Sequence, residues 1–530
     1  MAKSAKESKK TVGDFNQLGW YTLFVCLLYE FLIISQVSNL IYMVFGGSVA
    51  NVVSCGEYSF ANMTSSEACD AYEKIKSTGC TPKLEGDFQS VNYEFHFFCG
   101  NAGKVKMSTS VQMLGIMFGA MTFGQLSDSI GRRKTLIFGS VGLIISGFLS
   151  TFAPNIIIFT ILRFFVMLFT GGKHSVSYVY MMESLPTKHR MWLVTVITYS
   201  PNYVVFTALA YFTGSWRLLS RVIAGLTFLP LIFLLFIQET PRWLVQKEKI
   251  DEAREALVTI AKWNGKNTAE HRKAIDDVLN QERERIRQAA GRPKKKYYTY
   301  HLFMYRDYAI YTILFSFSLV TTSIITYGLM FNFEKLSGSP FLNTIIIGSL
   351  RYTINLVVAL IDIKFARVGR RLLHGCAMSF MAFGLGLVFI IMAFDLRMQS
   401  VIRMAALSVS AMGSQIYILN AIAPSELFPT AIRNVGMGFV QTFNRIGNVI
   451  APQIFLLGSF WAPLPYFVMA LMSLVEVIAY LALIPETKGK PLPDHMPDEG
   501  ITDAEKQIEQ EEDEVSEIPE KKPPFDDIRL

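Results

Sequence analysis

Charge is scarce in this chain of 530 residues: Asp, Glu, Lys and Arg make up 18%, against about a quarter in an ordinary soluble domain. No stretch resembles a phosphate-cradling glycine loop, a metal-ligand cluster or a catalytic triad. No catalytic residue, metal site or cofactor is therefore expected, and the chain does not read as an enzyme. No cleavable signal peptide is expected either, because the apolar run after the Lys-rich Met1–Lys10 is too long for an h-region. The net charge of +7 does not point to nucleic acid, since the cations fall in short loops between apolar spans, where the positive-inside rule accounts for them. Apolar residues fill the chain instead: 51% are hydrophobic, and 41 residues are Phe. At this length that composition implies an all-α polytopic membrane protein.

Three polar motifs organise the spans. Gly124-Gln125-Leu126-Ser127-Asp128-Ser129-Ile130-Gly131-Arg132-Arg133-Lys134 joins the apolar runs Met113–Phe123 and Thr135–Phe152, and echoes at Arg367-Val368-Gly369-Arg370-Arg371. Glu183-Ser184-Leu185-Pro186-Thr187-Lys188-His189-Arg190 returns as Glu426-Leu427-Phe428-Pro429-Thr430-Ala431-Ile432-Arg433, and Glu239-Thr240-Pro241-Arg242 returns more faintly as Glu486-Thr487-Lys488-Gly489. Each echo trails its original by roughly 240 residues, so one fold is used twice, as in transporters built from parallel repeats. These motifs resemble those of the major facilitator superfamily. The resemblance implies twelve transmembrane helices in two six-helix repeats, with the substrate site between them.

The expected organisation is a cytosolic N-terminus at 1–18 and a first half at 19–238, interrupted by an extracellular loop at 46–107. A central cytoplasmic loop at 239–307 and a second half at 308–484 follow. Residues 485–530 are expected to be a disordered acidic cytosolic tail. The central loop reads as surface helices around Asp251–Ala256 and Asp276–Arg287. Cys55, Cys69, Cys80 and Cys99 all lie in the outer loop, which predicts two disulfides of open pairing in an oxidising compartment. The sequon Asn62-Met63-Thr64 is expected to carry a glycan there. A large Cys-bearing, glycosylated loop after the first helix resembles the organic-ion transporter family of cation, anion and carnitine-type carriers. So does the opening Val12-Gly13-Asp14-Phe15-Asn16-Gln17-Leu18-Gly19, and Phe97-Phe98-Cys99 stands where that family has a Trp-containing segment ending in Cys. That family implies a multi-pass plasma-membrane protein with both termini cytosolic.

Polar residues inside the spans are the candidates for function. In helix 1, Ser35, Ser38, Asn39 and Tyr42 form one stripe that either bonds to other helices or lines the path, with Glu30 off it. Arg163 is expected in a structural ion pair near the cytoplasmic motifs. Lys173 and His174 lie near mid-helix 4, and Tyr203 follows Pro201, which should kink helix 5. In helix 8, Arg351, Asn355 and Asp362 share a face, the first and last about 20° apart; Gln441, Arg445 and Asn448 do so in helix 11. An unpaired guanidinium is costly in a bilayer, so both arginines need water, a carboxylate or an anionic ligand. Asp362 and Glu476 are the alternative partners within the fold.

The substrate-binding candidates are thus Arg445, Gln441, Asn448, Arg351, Asn355, Lys173 and Tyr203. A cytoplasmic gate is expected from Asp128, Arg132, Arg133, Glu183, Arg190, Arg370, Arg371, Glu426 and Arg433. Glu183 would bridge to Arg370 or Arg371 and Glu426 to Arg132 or Arg133, closing the inner side and breaking when the carrier opens inward, with Asp128 at the N-terminus of helix 11. At the position of Arg445, in the segment Gly436–Gly447, cation carriers of the resembled family place Asp and anion or carnitine-type carriers place Arg. The chain departs from the pattern at Ala366, where Asp is expected, and in a helix 8 without the Lys of anion carriers. The expected function is alternating-access transport of small organic ions, leaning to anions or carnitine-like zwitterions. The expected partners are that substrate, the lipid bilayer and a counter-ion or co-transported ion, with no nucleic acid. An organic cation carrier, a sugar-porter-like facilitator and a non-transporting protein on this fold are the alternatives.

Overall fold

The computed structural model describes residues 12–488, apart from 50, 61–62, 64, 76–79, 187–192, 194–196, 290–297, 334–335, 337 and 366–367. The first half contains α1 (Trp20–Leu40), α2 (Gly103–Ile130), α3 (Arg132–Ser150), α4 (Ile156–Ser184), α5 (Tyr199–Thr213) and α6 (Trp216–Leu226, continuing over Phe228–Phe236). The second contains α7 (Arg306–Met330), α8 (Pro340–Lys364), α9 (Arg370–Ala393), α10 (Gln399–Leu427), α11 (Thr430–Ile450) and α12 (Leu464–Leu483). Among the described residues nine of these helices are long and apolar enough to cross a bilayer. Those that fall short are α2, rich in Gly, Ser and Thr, the short α5, and α11, which carries Arg433 and Arg445.

Gly131 ends α2 and starts α3 at φ 106°, a conformation that a side chain would strain. Small residues bring α2 against α4. A Cβ on Gly119 would lie 1.9 Å from the Leu168 carbonyl oxygen, and one on Gly171 2.4 Å from that of Ile116. Backbones this close gain dispersion contacts where lipid removes the hydrophobic drive. Pro201 does not kink α5. It falls in the first turn, where its missing N–H has no intrahelical partner to lose.

The two halves touch mainly toward the end that carries the cysteine-rich loop. There Gln453 Nε2 donates to Ser110 Oγ at 3.0 Å, Lys106 Nζ donates to Asn332 Oδ1, and Phe341 stacks on Phe45 at 4.8 Å. The loop holds a three-stranded antiparallel sheet, Asn51–Cys55 between Tyr58–Ser59 and Pro82–Glu85, and a helix at Ser65–Ile75. Two disulfides staple it as expected and settle the pairing, Cys55–Cys80 along the sheet and Cys69–Cys99 from the helix to the start of α2. Asn62 lies outside the described residues; Asn62→Gln is expected to abolish the glycosidase-dependent gel shift of protein made in a glycosylating host.

At the opposite end the central loop forms helices at Pro241–Gln246, Ile250–Trp263 and Ala269–Ala289. Val12 and Phe15 of the N-terminal segment pack into their apolar faces beside Trp243, Leu244 and Leu257. Arg254 pairs with Asp276 at 2.5 Å across two of these helices. The proposed acidic tail from 489 onward lies outside the described residues.

Candidate functional site

The three echoed motifs converge on one hydrogen-bonded network, built once in each half. In the first, Glu239 accepts from the amides of Arg132 and Arg133, both at 3.0 Å, and so satisfies free N–H groups at the start of α3. Thr240 Oγ1 donates to Glu183 Oε2 at 2.6 Å, and Arg132 Nη2 reaches Glu183 Oε1 at 3.3 Å. In the second half Glu486 accepts from the amides of Arg370, at 2.7 Å, and Arg371, at 3.2 Å. Thr487 Oγ1 donates to Glu426 at 2.5 Å, and Arg370 approaches it at 3.9 Å. Burial holds the Glu239 carboxyl above its ordinary pKa despite its amide donors. For Glu486 burial pushes the same way, but four backbone amides outweigh it and the pKa is lowered.

The cross-half bridges expected to close the inner side are not formed in this arrangement, in which the halves meet at the loop end; Glu183 and Glu426 pair with arginines of their own halves. Asp128 does not sit at α11; it pairs with Arg132 one turn on, at 3.0 Å, and is largely exposed. In this arrangement Arg133 and Arg371 form no cross-half bridge among the described residues. They donate to carbonyls at the ends of α6 (Leu234, Leu235) and α12 (Leu481), where a cation suits the helix dipole. Arg433 donates to the Phe428 carbonyl at 3.1 Å, and Arg190 lies outside the described residues. Replacing Glu239 or Glu486 with alanine is expected to cost about 1–3 kcal/mol each, read as parallel falls in melting temperature.

Midway along the bundle a polar layer spans both halves. From the first half, Gln36 Oε1 accepts from the Tyr199 hydroxyl at 3.0 Å, Gln36 Nε2 donates to Ser177 at 2.9 Å, and His174 Nδ1 bonds the same tyrosine. From the second, Ser323 donates to Asn444 at 2.6 Å and accepts from Tyr417 at 3.1 Å, while Asn444 donates to Gln441 at 3.1 Å. Asn355 accepts from Ser414 at 2.9 Å. Arg351 crosses between halves. It donates to the Tyr203 hydroxyl at 3.1 Å with its guanidinium 5.1 Å from the ring centre, and its Nε has no partner among the described residues. Arg445 is half-buried, within electrostatic reach of His174, Tyr199, Tyr327 and Tyr417. Asn448, on the same helix, is buried with Oδ1 unpaired among the described residues.

The expected site residues divide accordingly. Arg445, Gln441, Asn448, Arg351, Asn355 and Tyr203 join the layer, with His174. Lys173 does not: it is fully buried inside the first half, where Nζ donates to Ser35 Oγ at 2.9 Å, and Ser35 in turn bonds Thr227 of α6 at 2.8 Å. Neither alternative carboxylate serves the two arginines, for Asp362 pairs with Arg370 and Lys488, and Glu476 with His374. Arg163 has no ion pair among the described residues and is not near the motifs. It lies in the loop-end part of α4, over the Tyr42 ring at 4.0 Å, bonded to Gln112 and to the side chain and carbonyl of Asn39. The helix 1 stripe thus bonds to other helices through Ser35, Asn39 and Tyr42, while Gln36, next to Ser35 but off the stripe, belongs to the central layer.

Comparison with known proteins matches residues 42–496 to the family described as Sugar (and other) transporter. An "Organic cation transporter protein" of Drosophila melanogaster is 30% identical over 413 residues, covering 76% of this chain and 73% of its own. "Solute carrier family 22 member 6" of Rattus norvegicus is 25% identical, covering 76% and 72%. Among solved structures, the inward-open xylose transporter XylE from E. coli superposes with a TM-score of 0.63 over 89% of this chain and 98% of its own. At 17% identity that likeness concerns the fold.

Proposed function

Because the chain belongs to the major facilitator superfamily, and within it to the organic-ion transporters, we propose that it carries organic anions or carnitine-like zwitterions by alternating access, with Arg445 as the substrate's charge partner. Arg445 carries this reading. It is half-buried in the layer between the halves, with no carboxylate bonded to it among the described residues. A guanidinium held there gains most from a ligand carboxylate, which it binds through two parallel N–H bonds. Arg351 adds a second positive charge to the layer, and the hydroxyls of Tyr203 and Tyr417 add neutral donors.

The disulfide-bonded loop is taken to face the outside of the plasma membrane and both termini the cytosol. The halves then touch on the outer side, and the layer opens inward. Release of the contacts among Ser110, Gln453, Lys106 and Asn332 would accompany the outward-open state. A second reading, transport of cations, is favoured by Glu30, the α1 carboxylate that is bonded to Asn202 at 2.8 Å and remains partly exposed.

Uptake of labelled benzoate, carnitine and tetraethylammonium by expressing cells separates the two. Benzoate or carnitine should enter above the background of untransfected cells. Uptake of tetraethylammonium alone, abolished by Glu30→Gln, would establish the second reading. An anion entering a negative interior opposes about 2.3 kcal/mol per charge at 100 mV, so concentrating it demands exchange or a coupled ion.

A further inference from the structure

The central layer leaves one pair of titratable side chains unused. His374, one turn into α9, and Glu476 of α12 are both fully buried, with Nε2 and Oε1 2.6 Å apart. The Tyr480 ring stacks on the imidazole at 3.7 Å. Ser318 Oγ of α7 lies 3.5 Å from His374 Nε2 and accepts from Asn420 of α10 at 2.9 Å. His374 Nδ1, Glu476 Oε2 and the Tyr480 hydroxyl have no hydrogen-bond partner among the described residues.

The internal duplication shows that the fold does not require this pair. Leu136 stands in α3 where His374 stands in α9, each the fifth residue of its helix. Leu229 precedes Glu239 by the same interval as Glu476 precedes Glu486, and Phe233 occupies the place of Tyr480. One half fills the position with hydrocarbon; the other places a histidine and a carboxylate there. Desolvating such a pair brings little net stability compared with apolar residues, so a use other than packing is indicated.

The pair is also wired toward the substrate layer. Asn420 lies one turn beyond Tyr417 on α10, and Ser318 shares α7 with Ser323. Tyr417 and Ser323 are bonded to each other, and Ser323 to Asn444, the neighbour of Arg445 on α11. The elements facing the pair supply neutral groups at its own level, Ser318 from α7 and Asn420 from α10. The charged groups Arg370, Glu426 and Glu486 lie beyond it toward the motif end.

We propose that His374 and Glu476 form a proton-binding site that couples substrate movement to a proton gradient. With Nε2–H donated to Glu476, the Nδ1 lone pair is free to take a proton. The pair then passes from a net charge of −1 to a neutral imidazolium–carboxylate. Only the neutral form is cheap to keep buried, so loading and release of the proton accompany the change between the two states. One proton enters with the substrate on one side and leaves to water on the other. This inference rests on the chain being a transporter of the proposed kind.

The test uses full-length protein in proteoliposomes with labelled carnitine and labelled benzoate. An inward gradient of one pH unit should raise wild-type accumulation of carnitine up to about tenfold for one coupled proton, and a proton ionophore should remove that gain. The His374→Leu/Glu476→Leu variant, which copies the first half, and Glu476→Gln should each lose the gradient-driven gain while retaining counterflow exchange and monodisperse elution. Accumulation by wild type that ignores the pH gradient, gradient-driven accumulation surviving in both variants, or loss of counterflow together with accumulation in both would overturn the proposal. Absence of counterflow in wild type with either probe would instead strike at the transport reading itself.

Discussion

Arg445→Ala should reduce uptake of the preferred substrate by at least about tenfold, since a hydrogen bond to a charged group contributes roughly 1.5–3 kcal/mol. Arg445→Lys should retain part of it, because the charge survives while the planar fork does not. The protein should remain folded in both, for Arg445 is half-buried with no bonded partner among the described residues to be orphaned. Lys173 provides the contrast. It is buried at the Ser35–Thr227 contact inside one half, so Lys173→Met should shift melting temperature without altering substrate preference. An Arg445→Ala variant with unchanged uptake would remove the residue from the site.

Gly119→Val should prevent stable assembly of the first half. The added Cβ would fall 1.9 Å from the Leu168 carbonyl oxygen and 3.0 Å from the Gly172 nitrogen, and backbone atoms have no rotamer to yield. Separating α2 from α4 forfeits the close packing along Gly115, Gly119 and Gly171, a loss of more than about 4 kcal/mol. Gly124 lies on the same helix and a Cβ there meets nothing within 4 Å. Gly124→Val should therefore express and elute as wild type does, and comparable elution of the two variants would refute the packing argument.

The duplication was legible because its motifs are short, polar and surrounded by hydrocarbon, so chance resemblance is easy to discount. Twelve spans followed from it even where hydropathy is weak, as in α2 and α11. The pairing of the motifs was not legible. Spacing relates Glu183 to Glu426 and Arg132 to Arg370 equally well within a half or across halves, and only geometry places Thr240 and Thr487 between them. Periodicity assigned Arg445, Gln441 and Asn448 to one face, and the polar layer contains that face. Lys173 was singled out by depth alone, and depth does not fix direction, because adjacent residues on a helix point about 100° apart: His174 turns to Tyr199, and Lys173 turns away to Ser35. Gln36 was missed because it lies about 100° round the helix from Ser35, off the stripe that Ser35, Ser38, Asn39 and Tyr42 form.

Ligand-induced stabilisation of the purified protein tests the role of Arg445 without any assumption about coupling, since a ligand that binds the folded state raises its melting temperature by mass action. Benzoate or carnitine should raise the melting temperature of wild type in a concentration-dependent way and leave that of Arg445→Ala unmoved, with tetraethylammonium inert toward both. Stabilisation by tetraethylammonium alone, or an equal response of wild type and Arg445→Ala to the carboxylates, would contradict the account.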